Sequence, residues 1–119
     1  MSVTCLNNFE VLLMLRIIIL SLSLATFSTF ASDVTVFGKI KWINNWQGHS
    51  GFLVALENMT PTKGICKRND QYILPQNHQF AKENFSMLLS SRIADKPVTL
   101  VIRSGECLEG FPKIAHIRI

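Results

Sequence analysis

The sequence predicts a small, mainly β domain with one helix: a five-stranded OB-fold-like barrel in the order β-β-β-α-β-β, behind an N-terminal export signal. Three observations carry this expectation. Short runs of alternating apolar and polar residues lie between turn-forming residues, the period of half-buried strands. One stretch near residues 80–93 changes to helical spacing. Upstream of both sits an apolar run followed by small residues, the pattern of a cleavable leader.

The leader comes first in the chain. Ile17–Leu24 is apolar apart from Ser21 and Ser23, and Arg16 gives the run a positive flank. Thr29-Phe30-Ala31 places small side chains at the third-last and last positions before a cut, as a signal peptidase requires. Cleavage after Ala31 makes 1–31 the signal peptide and 32–119 the domain. The alternative, an uncleaved anchor, needs about 20 mostly apolar residues. Ser21, Ser23, Thr26, Ser28 and Thr29 interrupt a shorter run here, so no stable membrane span is expected after cleavage. Glu10 fits a basic flank poorly, whereas a start at Met14 would give Met-Leu-Arg and then the apolar run. Met14 is therefore read as the true start. The protein is expected outside the cytoplasm, in the periplasm or the medium.

Export decides how the cysteines are read. Cys5 leaves with the signal, and Cys66 and Cys107 remain. An even count in a small exported domain indicates a disulfide. No Cys-x-x-Cys pair or histidine cluster points to a metal, and no cofactor is expected. Residues 32–119 carry eleven Lys and Arg against seven Asp and Glu, and only Lys67-Arg68 are adjacent. Such a dispersed, mildly basic surface is not a nucleic-acid footprint.

In Val34–Ile43 the alternation puts Val34, Val36, Ile40 and Trp42 on the inner face, with Gly38 as the place for a bulge. The polar segment 44–51 follows, and then a strand over Phe52–Glu57 with Phe52, Val54 and Leu56 on one side. Thr60-Pro61-Thr62-Lys63-Gly64 is loop chemistry, and a third strand runs near Gln71–Leu74 and stops at Pro75. Phe80, Ala81, Phe85, Leu88, Leu89 and Ile93 then recur at helical spacing, with Asn77 as N-cap and Pro97 as the stop. The last strands are expected at Val98–Arg103 and Lys113–Ile119, joined by a turn over Ser104–Gly110. Ala115, Ile117 and Ile119 would point inward. A long coiled first strand and a helix between strands three and four are the ground plan of an OB-fold barrel.

Several runs also carry a family likeness: Tyr72-Ile73-Leu74-Pro75, Ala81-Lys82-Glu83, Ser86-Met87-Leu88-Leu89, Lys96-Pro97-Val98-Thr99-Leu100, and Cys107 followed by Gly110-Phe111-Pro112-Lys113-Ile114. Together they resemble small secreted bacterial proteins similar to the binding subunit of subtilase cytotoxin. That resemblance implies an OB-fold B subunit that assembles as a pentamer and binds cell-surface glycans, and it leaves an enzymatic partner subunit unknown.

Glycan recognition needs an aromatic ring to lie on the C–H face of a sugar and amides to satisfy its hydroxyls. Trp46, Asn44, Asn45, Gln47 and His49 supply that composition within six positions, in the loop after strand one that often lies at the OB binding face. Trp42 is assigned to the core instead. His49, His78 and His116 show no metal-ligand spacing, and neither a nucleophile elbow nor a phosphate-binding glycine loop occurs. The expected function is a non-enzymatic binding module. The alternative is a periplasmic protein-interaction or structural module without glycan binding.

Overall fold

The computed structural model describes residues 10–17 and 32–119, and the chain divides into two units, Met1–Phe30 and Ala31–Ile119. In the first unit residues 10–17 form a short helix, α1, whose side chains are exposed. The predicted leader, with its apolar run beyond Ile17 and its cleavage position, lies outside the described residues. Among the described residues no helix is long and apolar enough to cross a membrane.

The second unit is mainly β. Its elements run β1 (Val34–Asn44), β2 (Gly51–Leu56), a 3-10 turn (Thr60–Thr62), β3 (Tyr72–Pro75), α2 (Ala81–Ile93), β4 (Pro97–Leu108) and β5 (Phe111–Arg118). The expectation of one helix is thus corrected: a 3-10 turn separates β2 from β3, where Pro61 presets the first turn, and α1 precedes the strands. The sheet order is β1-β2-β3-β5-β4, and β4 returns to β1, so the sheet closes into a ring. It is mixed, because β3 and β5 run parallel at Ile73↔Lys113 while the other pairs are antiparallel.

β1 makes the ring possible by serving two neighbours. Its first half pairs with β4 from Val34↔Ile102 to Lys39↔Pro97; its second half pairs with β2 from Ile40↔Leu56 to Asn44↔Leu53. The register slips between Ile40 and Trp42, two residues beyond the glycine expected to hold the bulge. The slip reverses the alternation. Ile43 packs on the core, and Trp42, expected inside, is 38% exposed. An added residue in one strand flips every side chain beyond it.

Inside the ring lie Val36, Ile40, Val54, Leu56, Tyr72, Leu74, Val98, Leu100, Ile102 and Ile114, with Leu88 of α2. A second cluster, Leu53, Ile73 and Phe111 with Leu108 against it, is separate. Leu53 and Ile73 alternate with the inner residues Val54, Tyr72 and Leu74, so this cluster sits on the outer face of β2 and β3. Gly51 is required where these strands meet, since a Cβ there would stand 2.2 Å from the Leu74 carbonyl oxygen.

α2 packs through a narrower stripe than its apolar spacing suggests. Asn84, Leu88 and Ser91 are buried and Phe85 stacks on Phe52 at 4.3 Å, while Phe80, Leu89 and Ile93 are exposed. A lone helix against a small ring touches it along one row of side chains, and the next row runs out past the rim. Asn77 does not cap the helix; the N-cap is Phe80, without a side-chain cap. At the other end of the domain β4 and β5 are longer than expected, because their hairpin turns tightly at Glu109-Gly110. Both turn residues have positive φ, +54° and +84°, which matches the twist of flanking strands. The register shift between Val101 and Ile102 puts Ile114 in the core, and Ile119, beyond the last paired residue Arg118, is exposed.

Cys66 and Cys107 are disulfide-bonded, with Cα atoms 5.9 Å apart. The bond ties the loop before β3 to the end of β4. The 3-10 turn is held from below: Thr62 Oγ1 lies 2.7 Å from Asn69 Oδ1 and 2.8 Å from Tyr72 Oη. Asn69 Oδ1 and the Met59 carbonyl only accept, so the single threonine proton goes to the nearer Asn69 Oδ1, with the Met59 carbonyl a secondary acceptor at 3.1 Å, and the threonine oxygen receives the tyrosine proton. Burial pushes the Tyr72 phenol up.

Candidate functional site

The outer cluster of β2, β3 and β5 is the floor of a recess of about 370 Å3. Its lining is Asn44, Trp46, His49, Leu53, Arg68, Gln71 and Phe111. Two segments roof it, and each is fixed by specific bonds.

The first roof is the turn after β1. Trp46-Gln47-Gly48-His49 closes with a His49 N–H to Trp46 carbonyl bond of 3.4 Å, and Gly48 takes φ +94° at the third position, where a side chain would be strained. Glu109, on the β4–β5 turn, holds this segment. One carboxylate oxygen bonds His49 Nδ1, and the other accepts the Ser50 backbone N–H at 2.7 Å. These bonds, from Ser50 and then His49, hold the Glu109 carboxyl below the usual carboxylate range. His49 is thereby turned edge-on to Phe111, with ring centres 5.5 Å apart.

The second roof is the loop closed by the disulfide. Arg68 N–H donates to the Gly110 carbonyl at 2.9 Å, and its guanidinium lies 4.4 Å from the centre of the Phe111 ring. One edge of its guanidinium is used at Asp70, through Nε at 3.1 Å and Nη2 at 2.7 Å. Gln71 is 9% exposed and is the polar centre of the wall. Its Oε1 accepts from Asn44 Nδ2 at 3.0 Å and from Trp42 Nε1 at 3.2 Å. The displaced Trp42 is thus part of the support for Asn44, with Lys41 Nζ 4.7 Å from the centre of its ring.

Of the residues singled out by sequence, Asn44, Trp46 and His49 come together, with Trp46 65% exposed at the rim. Asn45 and Gln47 are exposed in the same segment and do not line the recess. Leu53, Arg68, Gln71, Phe111 and the positioning residue Glu109 were not anticipated. A usable signal existed for two of them: Arg68 stands two residues from Cys66, and Glu109 precedes Gly110, a residue type that marks a turn. Gln71 carries no such mark.

Chemically, the recess offers an indole face, an imidazole edge, an amide and a stacked guanidinium above an apolar floor. Its lining includes no hydroxyl or thiol that His49 could activate, and Glu109 spends both oxygens on positioning. Among the described residues no group of three His, Cys, Asp or Glu could hold a metal ion. The chain matches no family model, no curated protein and no solved structure.

Proposed function

We propose that residues 32–119 are an exported, non-enzymatic OB-fold module that recognises glycans and assembles as a homo-oligomer, resembling the binding subunit of subtilase cytotoxin. The sheet order β1-β2-β3-β5-β4, the shared β1 and the helix between β3 and β4 support the OB assignment. The observation that carries the ligand reading is the recess itself: an exposed Trp46 ring beside the amide of Asn44, which Gln71 holds in place. Stacking on the ring and hydrogen bonds from fixed amides are what a saccharide's two kinds of surface demand.

A glycan array probed with folded, disulfide-bonded protein tests this, with light scattering to give the assembly mass. Trp46→Ala should abolish the array signal and leave thermal stability within about 0.5 kcal/mol, since the ring is mostly solvated. No glycan bound by correctly assembled protein would defeat the reading. A mass of five chains would strengthen the toxin-like assembly, and a monomer would count against it.

A second reading, a protein-interaction module, has its own observation. Trp42, Leu89 and Ile93 flank an open groove of about 500 Å3 beside Lys41 and Arg92. If that face carries the function, Ile93→Glu should abolish partner association while sugar binding is absent from the start.

A further inference from the structure

We propose that a second recess, on the outer face of the β4–β5 hairpin, binds a phosphate- or sulfate-ester oxyanion carried on a ring. It shares no residue with the recess around Trp46 and stands independently of the glycan reading.

The sheet register motivates it. Arg103 of β4 is directly opposite Lys113 of β5, and both line the same hollow of about 470 Å3. Like charges facing each other across a strand pair repel, so such a pair stays in a sheet at a cost unless something anionic sits between them. The neutralisation within the domain is partial. Lys113 Nζ reaches Glu106 Oε2 at 3.3 Å, while the carboxylate nearest Arg103, that of Asp33, stands at 3.9 Å, beyond hydrogen-bond range. The contrast with Arg68 is direct, since two nitrogens of that guanidinium, Nε and Nη2, already bond Asp70.

The remaining wall is preformed. His78 Nε2 donates to the Ala115 carbonyl at 2.8 Å, and His78 Nδ1 accepts the Phe80 N–H at 3.0 Å. Both ring nitrogens are spent, so this histidine clamps the β3–α2 connection to β5 as the neutral tautomer. Phe80, 51% exposed, is left at the edge with its ring uncommitted to the core, and His116 lies exposed along β5.

These groups select a ligand class. A planar carboxylate is served by an Arg fork alone. Two cations arriving from two strands, one a fork and one a point charge, suit an anion with three or four oxygens pointing in different directions. The Phe80 ring adds a flat apolar neighbour for whatever bears the ester. The volume falls in the range of small-ligand sites.

Phenyl phosphate is the direct probe, followed by two-dimensional NMR of the purified, disulfide-bonded protein. Saturable shifts confined to Phe80, Arg103, Lys113 and His116 are expected, with affinity falling at least about tenfold in Arg103→Gln and in Lys113→Gln. Inorganic phosphate should bind more weakly than phenyl phosphate, and Phe80→Ala should erase that difference. Vesicles containing phosphatidylinositol 4-phosphate, a phosphate ester on a ring, that displace phenyl phosphate would assign the ester to a lipid headgroup, and vesicles that do not would assign it to a soluble molecule. Raising the salt concentration on the unmodified protein gives a readout independent of any variant, and should weaken phenyl phosphate binding. The proposal is overturned if neutral benzyl alcohol shifts the same residues equally. It is likewise overturned if the shifts centre on Trp46 and Arg68, or if folded Lys113→Gln binds unchanged.

Discussion

Replacing both disulfide cysteines, Cys66→Ser with Cys107→Ser, should cost about 4 kcal/mol of stability. The two are 41 residues apart. Loop-closure entropy for a link of that span removes about 13 cal/mol/K from the unfolded chain, which is about 4 kcal/mol at 25 °C. The enclosed segment contains β3, α2 and nearly all of β4, so the constraint acts on most of the unfolded domain rather than on one loop. For a domain near this size each kcal/mol moves the melting temperature by about 4–8 °C. The double variant should therefore melt on the order of 20 °C lower, a large share of a typical domain's net stability. Circular dichroism melts of the two proteins at one pH provide the measurement. In urea the m value of the double variant should be slightly larger, because a chain without the link exposes more surface when unfolded. A drop of less than about 5 °C, in material whose unmutated form has no alkylatable thiol, would refute the entropic account.

Three other changes separate packing from hydrogen bonding. Gly51→Ala forces a methyl to 2.2 Å from the Leu74 carbonyl oxygen, so β2 and β3 must part; a loss of about 3 kcal/mol, the upper end for overpacking, is expected in chemical denaturation. Tyr72→Phe leaves the Thr62 hydroxyl without its buried donor and should cost about 1–2 kcal/mol in the same assay. Glu109 has a folded-state pKa below its ordinary value of 4.5, so its contribution is complete above that pH and is lost as pH falls through the lower, folded value. Melts from pH 6 to pH 2 should thus decline less steeply for Glu109→Gln than for the unmodified protein, and identical slopes would contradict the tether.

Strand identities were legible because burial on one face leaves a period of two, as in Val98, Leu100 and Ile102, all buried as expected. The helix between β3 and β4 followed from the one stretch where the period changes, whereas the 3-10 turn and α1 make the full order differ from the expected one. What the pattern could not reveal is where it breaks. Trp42 obeys the alternation in sequence and violates it in space, because the slip after Ile40 depends on β1 leaving β4 for β2, a pairing no local residue encodes. Leu89 and Ile93 have sound helical spacing, yet spacing specifies which residues share a face and not how wide a face the partner can cover. The candidate site divides in the same way. Asn44, Trp46 and His49 stood out by type in one polar segment, whereas Arg68, Gln71 and Glu109 reach it from elsewhere in the chain through the sheet and the disulfide.

The outer cluster gives the site its logic. In a sheet with one solvated face, positions 53 and 73 would be polar; here they are Leu and Ile, both buried, so the outer side of β2 and β3 must be covered. Two segments do the covering, and three ties hold them. Glu109 grips His49 and the Ser50 N–H, the disulfide anchors Cys66, and the Gly110 carbonyl receives the Arg68 N–H. All three ties converge on one short stretch, Cys107 to Gly110, at the tip of the β4–β5 hairpin. The recess is the gap the two coverings leave above an apolar floor, and its width is therefore set at that tip rather than by the residues that line it. If the recess holds a saccharide as proposed, changes in the hairpin turn should alter which glycans bind on the array without changing any residue that lines the recess.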